Sequence, residues 1–541
     1  MTKYKNKNKN RNISFLTLLI SFIVALIFRI FLLRIIGSKG VAYFSVPNEV
    51  FFFVAGLIAF GIEEAIGAMI ESRMYRQQYN NALKVAELGI VYAFVIGILI
   101  SLILLAIHGA LVDKLFSMHL SYMGFLVTLP AIPLFILTGA FKGFFKGTNY
   151  PSVTIQSQFV FTITYAISGG VAAYICQTYG LKVSTLLRSE EFAPSYGAMG
   201  ASIGILVASI VTFGHILLLY ILMKRRTVFS NGRDYSRNID STPNVLINIA
   251  GTALVPSLTW ASICIVPIVN IIFLFKAKNV EFSMDFAFGE YYGKTASISG
   301  IITFALTLFA YPFIKKAITA IRKEEYRNAR DKLKAMIHRC ATLSFFMAAM
   351  LAVLADNILQ MLFPQNGEDT VLYLQLEAIC LAFAVYAAVF LEMIINMKNY
   401  LYALGITAIA AIVHIIFLVV FVSSAQLSIS GMIISNLLFY LVIDALAFIF
   451  ISRAFQYTQE WFRTIVVTLI AALISALLGM LLNKAICPLV GVSIALVIVL
   501  LVSTLVYIII LLALRGYSEE ELEASAFGRF VLSVGRMFNL V

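Results

Sequence analysis

Long apolar runs alternate with short polar segments along this chain of 541 residues. An apolar run of about 20 residues is long enough to cross a bilayer as a helix. By this criterion we predict an all-α polytopic membrane protein with about fourteen transmembrane helices. The predicted spans are 13–36, 41–70, 85–111, 119–141, 151–176, 197–223, 243–275, 287–314, 335–362, 370–396, 400–422, 430–452, 462–483 and 489–514.

The composition supports the same class of protein. Hydrophobic residues make up 61% of the chain and charged residues 12%, and the mean hydropathy is +0.94. A soluble domain has about twice that charged fraction. The five cysteines include no CxxC pair, so we predict neither a disulfide framework nor a metal site.

Polar segments divide the spans into groups. A basic N-terminal tail, MTKYKNKNKNRN, leads directly into the first span without the short apolar core and small-residue cleavage site of a secretory signal, so we expect it to be retained. A polar stretch at 224–242 follows the sixth span. The predicted organisation is a basic tail (1–12), an N-lobe (13–223), a linker (224–242), a C-lobe (243–452), an additional helix pair (462–514) and a C-terminal tail (515–541).

The distribution of positive charge predicts the orientation. The net charge is +13, but Lys and Arg lie in short segments between apolar runs rather than in one patch suited to nucleic acid. With the N-terminus in the cytoplasm, about thirty of the 40 basic residues are cytoplasmic. We therefore predict a cell-membrane protein with both termini inside. The basic segment 314–339 is expected to lie along the interface and bind anionic lipid.

Two weak internal matches indicate a repeat. Tyr79-x-Asn81-Ala82 follows the second span, and Tyr326-x-Asn328-Ala329 follows the eighth. Asn149-Tyr150 and Asn399-Tyr400 follow the fourth and tenth spans. These positions are equivalent in two six-helix units, which favours parallel repeats, although chance resemblance between basic interfacial segments also explains the matches.

Several stretches resemble a known family. FRIFLLRIIGSKGVAYF (28–44), FGIEEAIGAMIESRMYRQQYNNA (60–82), LTGAFKGFFKGTNYPSVTIQSQ (137–158) and EYYGKTASISGIITFALTLFAYPFI (290–314) are similar to stage V sporulation protein B and related polysaccharide and lipid II flippases. These belong to the multidrug/oligosaccharidyl-lipid/polysaccharide (MOP) exporter superfamily. The resemblance implies two six-helix lobes forming a V around a central cationic cavity, with the additional helix pair forming a groove for a polyprenyl tail.

Two arginines lie inside the first span. Charge in a membrane span is costly and marks a functional site by default. Arg29 and Arg34 are five residues apart and point about 140° apart on a helix. Arg34 lies close to the outer end, where it can snorkel to the interface or contact substrate. Arg29 lies about 10 Å deep, where it can bind a substrate phosphate, form an ion pair with Glu49 of the second span, or do both.

Other charged residues are candidates for gating or ion coupling. Glu63 and Glu64 lie near the inner end of the second span. They are either surface charges, which can pair with basic cytoplasmic loops as a gate latch, or a binding site for a proton or another cation. Glu290 and Lys294 have the four-residue spacing of an intrahelical ion pair, although Lys294 can instead add positive charge to the cavity. Asp444 lies within a span and is a candidate coupling site.

Three functional classes follow. The first is a flippase for a polyprenyl-pyrophosphate-linked glycolipid, which requires no catalytic residue and no cofactor because no bond is made or broken. The second is an ion-coupled exporter of organic cations, which two arginines in the first span disfavour. The third, a membrane-embedded glycan polymerase or ligase, is disfavoured by short external loops. We expect a monomer whose partners are the glycolipid, anionic lipids and a possible coupling ion.

Overall fold

The computed structural model describes residues 2–228, 234–236, 238–276, 284–363, 365–367, 369–424, 427–517 and 532. Within them the chain is helical and has no β-strand. Most of the predicted C-terminal tail and part of the predicted linker lie outside these residues. The helices are α1 (Thr2–Tyr75), α2 (Tyr79–Gly109), α3 (Tyr122–Thr128), α4 (Ala131–Gly147), α5 (Ser152–Leu187), α6 (Phe192–Val228), α7 (Thr242–Lys276), α8 (Met284–Glu290), α9 (Ala296–Arg322), α10 (Tyr326–Val353), α11 (Ala355–Leu362), α12 (Thr370–Asn396), α13 (Tyr400–Leu418), α14 (Ser428–Phe455), α15 (Val467–Val490) and α16 (Val492–Ala513).

Short turns of other helix types join or extend several of these helices. A 3₁₀ turn, His119–Ser121, precedes α3. The π-helical turns are Ala110–Leu115 after α2, Tyr291–Thr295 between α8 and α9, Val419–Ser424 after α13 and Phe462–Val466 before α15.

The predicted all-α polytopic class is confirmed. Twelve helical segments of the described chain are long and apolar enough to cross a membrane, and His119–Thr128 with α4 forms a pair, bent by 45°, that passes the same test when the two are taken together. The first of the twelve, Leu16–Tyr75, covers nearly all of the predicted spans 13–36 and 41–70. The fourteen predicted spans therefore all fall on helices, span 119–141 on the bent pair and span 335–362 on α10 and α11 together.

The kink in α1 is at Gly37. This residue has φ 68° and ψ 175°, and the helix is regular on both sides of it. A positive φ strains any residue with a side chain, whereas glycine adopts it readily. The predicted spans 13–36 and 41–70 are thus the two arms of one continuous segment.

The helices group into two compact units. The first unit contains the described residues up to Gly293 and the turn at Val419–Ser424. The second unit contains Lys294–Phe417 and the described residues from Leu427 onward. The division into six-helix lobes at 13–223 and 243–452 stays a prediction.

A row of glycines lets α4 approach α1 closely in the first unit. Small residues four apart allow two helix backbones to meet, which is how membrane helices commonly associate. An added Cβ at Gly139, Gly143 or Gly147 would lie 2.7, 2.8 or 2.8 Å from the carbonyl oxygens of Ala59, Glu63 and Gly67, respectively. Cβ atoms almost never come within 3.0 Å of another atom. The contact is therefore formed backbone to backbone.

In the second unit, the C-terminal helix pair packs against α10. Phe346 of α10 stacks on Tyr507 of α16 with ring centroids 4.6 Å apart. The Tyr507 hydroxyl also donates to the carbonyl oxygen of Thr342, at 2.8 Å. Val467 and Ala471 of α15 complete this buried cluster. The pair is thus an integral part of the unit rather than a loose extension.

Two short polar stretches, 234–236 and 238–240, bind the turn between α1 and α2. Arg73 forms an ion pair with Asp240 at 2.5 Å, and Asn81 donates to the carbonyl oxygen of Asn238 at 3.0 Å. The backbone amide of Tyr79 donates to Asp234 at 2.8 Å. Slight burial tends to raise the pKa of Asp234, but hydrogen bonds from Ser236 and from the start of α2 outweigh it and hold that pKa below its usual range.

Candidate functional site

The site is built where α8 packs against the kink of α1, within the first unit. Gly289 lies so close to α1 that an added Cβ would be 1.9 Å from the carbonyl oxygen of Ser38. Ser38 donates its hydroxyl to the carboxylate of Glu290, and both residues are buried. Glycine at position 289 therefore brings the beginning of the following turn, Tyr291 to Gly293, against both arms of the kinked helix.

Tyr292 connects residues from the two arms. Its hydroxyl donates to the Glu49 carboxylate and accepts a hydrogen bond from Asn48 Nδ2 at 2.9 Å. On the other arm, the guanidinium carbon of Arg29 lies 5.3 Å from the centre of the Tyr292 ring. A cation over an aromatic face at this distance is attracted by the ring. One side chain thus contacts both a cation and an anion.

The ion pair expected between Arg29 and Glu49 is not formed. None of the ion pairs in the described part of the chain joins these residues, and Tyr292 lies between them. Asn48 Nδ2 also donates to Glu49, at 3.1 Å. Estimating depth along the two arms correctly placed the opposite charges in one region. It could not reveal that an aromatic residue from the turn after α8 lies between them.

Three polar atoms in this region are enclosed and have no hydrogen-bond partner among the described residues. They are Arg29 Nη1, the Tyr165 hydroxyl and Asn48 Oδ1. Tyr165 of α5 is within electrostatic range of Arg29, and its ring packs edge-on against Phe28 at 4.7 Å. A buried polar atom without a partner costs free energy. Two of the three atoms are hydrogen-bond donors, so an acceptor such as a phosphate oxygen would satisfy them.

The two arginines of α1 lie in different surroundings. Arg34 is exposed, whereas Arg29 is half-buried. Tyr292, Tyr165 and Asn48 were not among the residues singled out from the sequence. An uncharged residue in an apolar span gives little signal, because its importance depends on which helices surround it.

The acidic pair of α1 faces the basic end of α4. Glu64 forms an ion pair with Lys146, and Glu63 is within electrostatic range of Lys142. Each lysine directly precedes a glycine of the row that brings the helices together. These charges therefore reinforce the contact between α1 and α4.

Lys294 is held by its own chain in the second unit. Its ammonium group donates to the carbonyl oxygen of Gln365 at 2.5 Å and to Asn366 Oδ1 at 3.1 Å. It also lies 5.3 Å from the centre of the Phe363 ring. The side chain is 2% exposed. The predicted pairing of Lys294 with Glu290 stays a prediction.

Asp444 lines an apolar cavity in the second unit. Both carboxylate oxygens are enclosed and have no hydrogen-bond partner among the described residues. This residue belongs to a different unit from Arg29 and Tyr292.

No protein-family model matches this chain. Stage V sporulation protein B of Bacillus subtilis (strain 168) is 18% identical over 349 residues, a match spanning 63% of each chain and so less than two thirds of that relative.

Two solved structures show the fold. An inward-facing multidrug resistance MATE family transporter of the MOP superfamily has a TM-score of 0.64 and 15% identity, covering 81% of this chain and 95% of that one. Lipid II flippase MurJ in an inward closed conformation has a TM-score of 0.63 and 13% identity, covering 92% and 97%. The chain therefore has the fold of the MOP-superfamily transporters, and the predicted resemblance is confirmed at that level.

Proposed function

We propose that this protein moves a polyprenyl-pyrophosphate-linked cell-wall or polysaccharide intermediate, similar to lipid II, across the cytoplasmic membrane by alternating access. The apolar tail of such a lipid can stay in the bilayer, whereas its charged head must pass through hydrocarbon. A transporter for it has to supply a polar, cationic contact in the membrane.

Arg29 is the observation that carries the proposal. A guanidinium group remains charged at any relevant pH and presents a rigid fork of donors suited to phosphate oxygens. Its Nη1 atom is enclosed without a partner among the described residues, and so is the nearby Tyr165 hydroxyl. A pyrophosphate reaching this site would satisfy both donors. The negative charge of the pyrophosphate would be balanced by Arg29, which forms no direct ion pair with a carboxylate among the described residues.

Tyr292 stabilises Arg29 after the substrate leaves the site, which favours release of the substrate. It lies over Arg29 and donates to Glu49. When the substrate leaves, the cation remains next to the ring and within electrostatic range of Glu49. The empty site is therefore stabilised without a direct ion pair that substrate would have to break.

The other predicted residues take supporting roles in this proposal. Arg34 and Lys294 provide further positive charge along the substrate path. Glu63, Glu64, Glu290 and Asp444 act in gating or ion coupling. Both termini lie in the cytoplasm, the protein acts as a monomer, and its basic segments bind anionic lipid.

The test measures flipping of fluorescent lipid II in reconstituted vesicles. Removing a charge-assisted hydrogen bond costs about 1.5–3 kcal/mol, so Arg29→Gln should slow flipping by about ten- to a hundredfold. Arg29→Lys should be intermediate, because it keeps the charge and loses the fork. The matched control is Arg188→Gln, since Arg188 is exposed on the α5–α6 connection.

Unchanged flipping in Arg29→Gln would show that this arginine does not bind substrate. If the protein instead exports ethidium-like cations along a proton or sodium gradient and leaves lipid II flipping unaffected, it is an ion-coupled exporter.

A further inference from the structure

We propose that a cavity in the second unit binds an amphipathic amine, with Asp444 as its counter-ion. The site shares no residue with the arginine site of the first unit, and it gives Asp444, which the proposed function places in gating or ion coupling, a ligand of its own. Its volume is about 570 Å³, within the range of cavities that hold small molecules. The lining comes from α10, α12 and α14 and from the segment that begins the C-terminal helix pair.

The cavity contains three polar groups with unused hydrogen-bonding capacity. Both oxygens of Asp444, the hydroxyl of Tyr386 and Nε2 of Gln459 are enclosed and have no partner among the described residues. The Gln459 side chain is held through its other atom, which accepts from the Tyr457 hydroxyl at 2.8 Å. Nearly all the remaining lining is apolar. Among the described residues, the cavity is therefore a hydrophobic volume that contains a carboxyl group with no hydrogen-bond partner. An ammonium group beside it would stabilise its ionised form.

The polar groups lie at two depths. Asp444 precedes the end of α14 by eleven residues and Tyr386 precedes the end of α12 by ten, which corresponds to about 15–17 Å along each helix. Gln459 and Trp461 lie just beyond the end of α14. A ligand would thus extend from the helix ends to the carboxylate, so it must be elongated and largely apolar.

Aromatic rings form a continuous wall along this path. The ring centroids are 5.8 Å apart for Tyr386 and Phe390, 6.2 Å for Phe390 and Phe448, and 5.4 Å for Phe448 and Trp461. Aromatic faces attract ammonium groups. The aromatic wall and the carboxylate of Asp444 therefore both favour a positively charged ligand. A fatty acid is negatively charged and a fatty alcohol is neutral.

The chain has two tryptophans, and one of them lines the cavity. In a Trp260→Phe background, fluorescence reports only Trp461, and a bromine atom nearby quenches it. The probes are bromoundecylammonium, bromoundecanol and bromoundecanoate, added to the protein in nonionic detergent. They have similar chains and differ in head-group charge.

We expect saturable quenching by the ammonium probe at a concentration at least tenfold below that needed for the alcohol or the carboxylate. Asp444→Asn should abolish this preference. Asp356→Asn should retain it, because Asp356 is exposed on α11. Tyr386→Phe should weaken ammonium binding about threefold, which provides a second variant if Asp444→Asn does not fold.

Equal half-maximal concentrations for the ammonium probe and the alcohol would overturn the proposal, because the cavity would then be a neutral lipid site. An ammonium preference that persists in Asp444→Asn would overturn it as well.

Discussion

Replacing Tyr292 with phenylalanine tests the contact that joins the two arms of α1. The substitution removes the hydroxyl that donates to Glu49 and accepts from Asn48. It keeps the ring beside Arg29, so the cation–aromatic contact remains and no large cavity forms. Any loss of stability therefore reports the hydrogen bonds.

The expected loss lies between two known magnitudes. Hydrogen bonds between membrane helices average about 0.6 kcal/mol and reach about 1.7. Bonds to a charged group contribute about 1.5–3 kcal/mol in proteins generally. Glu49 is the acceptor here and Asn48 also contacts it, at 3.1 Å. We expect a loss of about 1.5 kcal/mol, roughly a tenfold change in the unfolding equilibrium.

The assay is unfolding by sodium dodecyl sulfate in mixed micelles. Trp260 packs against Phe60 at 5.5 Å and donates to the carbonyl oxygen of Phe52, so its fluorescence reports the first unit in a Trp461→Phe background. The control is Tyr174→Phe, because Tyr174 is 61% exposed. In a Glu49→Gln background, the effect of Tyr292→Phe should fall to about 0.6 kcal/mol, because the acceptor is then neutral. A loss below 0.5 kcal/mol, no larger than that of the control, would refute the reasoning.

Two further outcomes follow from the first unit. Gly143→Val should lower the stability of the first unit by about 1–3 kcal/mol through overpacking. Gly214→Val should be nearly neutral, because no atom lies within 4 Å of an added Cβ at Gly214. The same fluorescence assay measures both variants, and equal effects would contradict the close contact between α4 and α1. The lowered pKa of Asp234 means that its stabilising contribution is present above the usual carboxyl pKa and is lost as the pH falls through the folded pKa. The protection of the Tyr79 amide against hydrogen exchange, measured relative to the intrinsic rate at each pH, should therefore fall on acidification in the parent, and Asp234→Asn should remove that dependence.

The spans were predictable because few backbone structures are stable in the hydrocarbon region of a bilayer. A segment in hydrocarbon must satisfy its backbone internally and present apolar side chains, so length and hydropathy identify it. The two arms of α1 are separate in the hydropathy pattern because the segment from Gly37 to Gly40 is less apolar. The pattern does not show that the two arms continue as one helical segment through Gly37, which has a positive φ.

The candidate site was predictable only in its charges. Arg29 is conspicuous because a charge in a span is costly. Tyr292 and Tyr165 are ordinary residues of apolar segments, and their roles depend on neighbours distant in sequence. Lys294 shows the same limit. Its four-residue spacing in the sequence suggests Glu290 as a partner, but its ammonium group donates to Gln365 and Asn366, which lie much further along the chain.

The glycine row of α4 also has a genetic consequence. Any missense change of a glycine codon adds at least one carbon atom, and alanine is the smallest result. At Gly139, Gly143 and Gly147 even that atom would lie within 3.0 Å of the α1 backbone. A saturation-mutagenesis library selected for function should therefore lose variants at these three positions, which recur with a period of four along the helix.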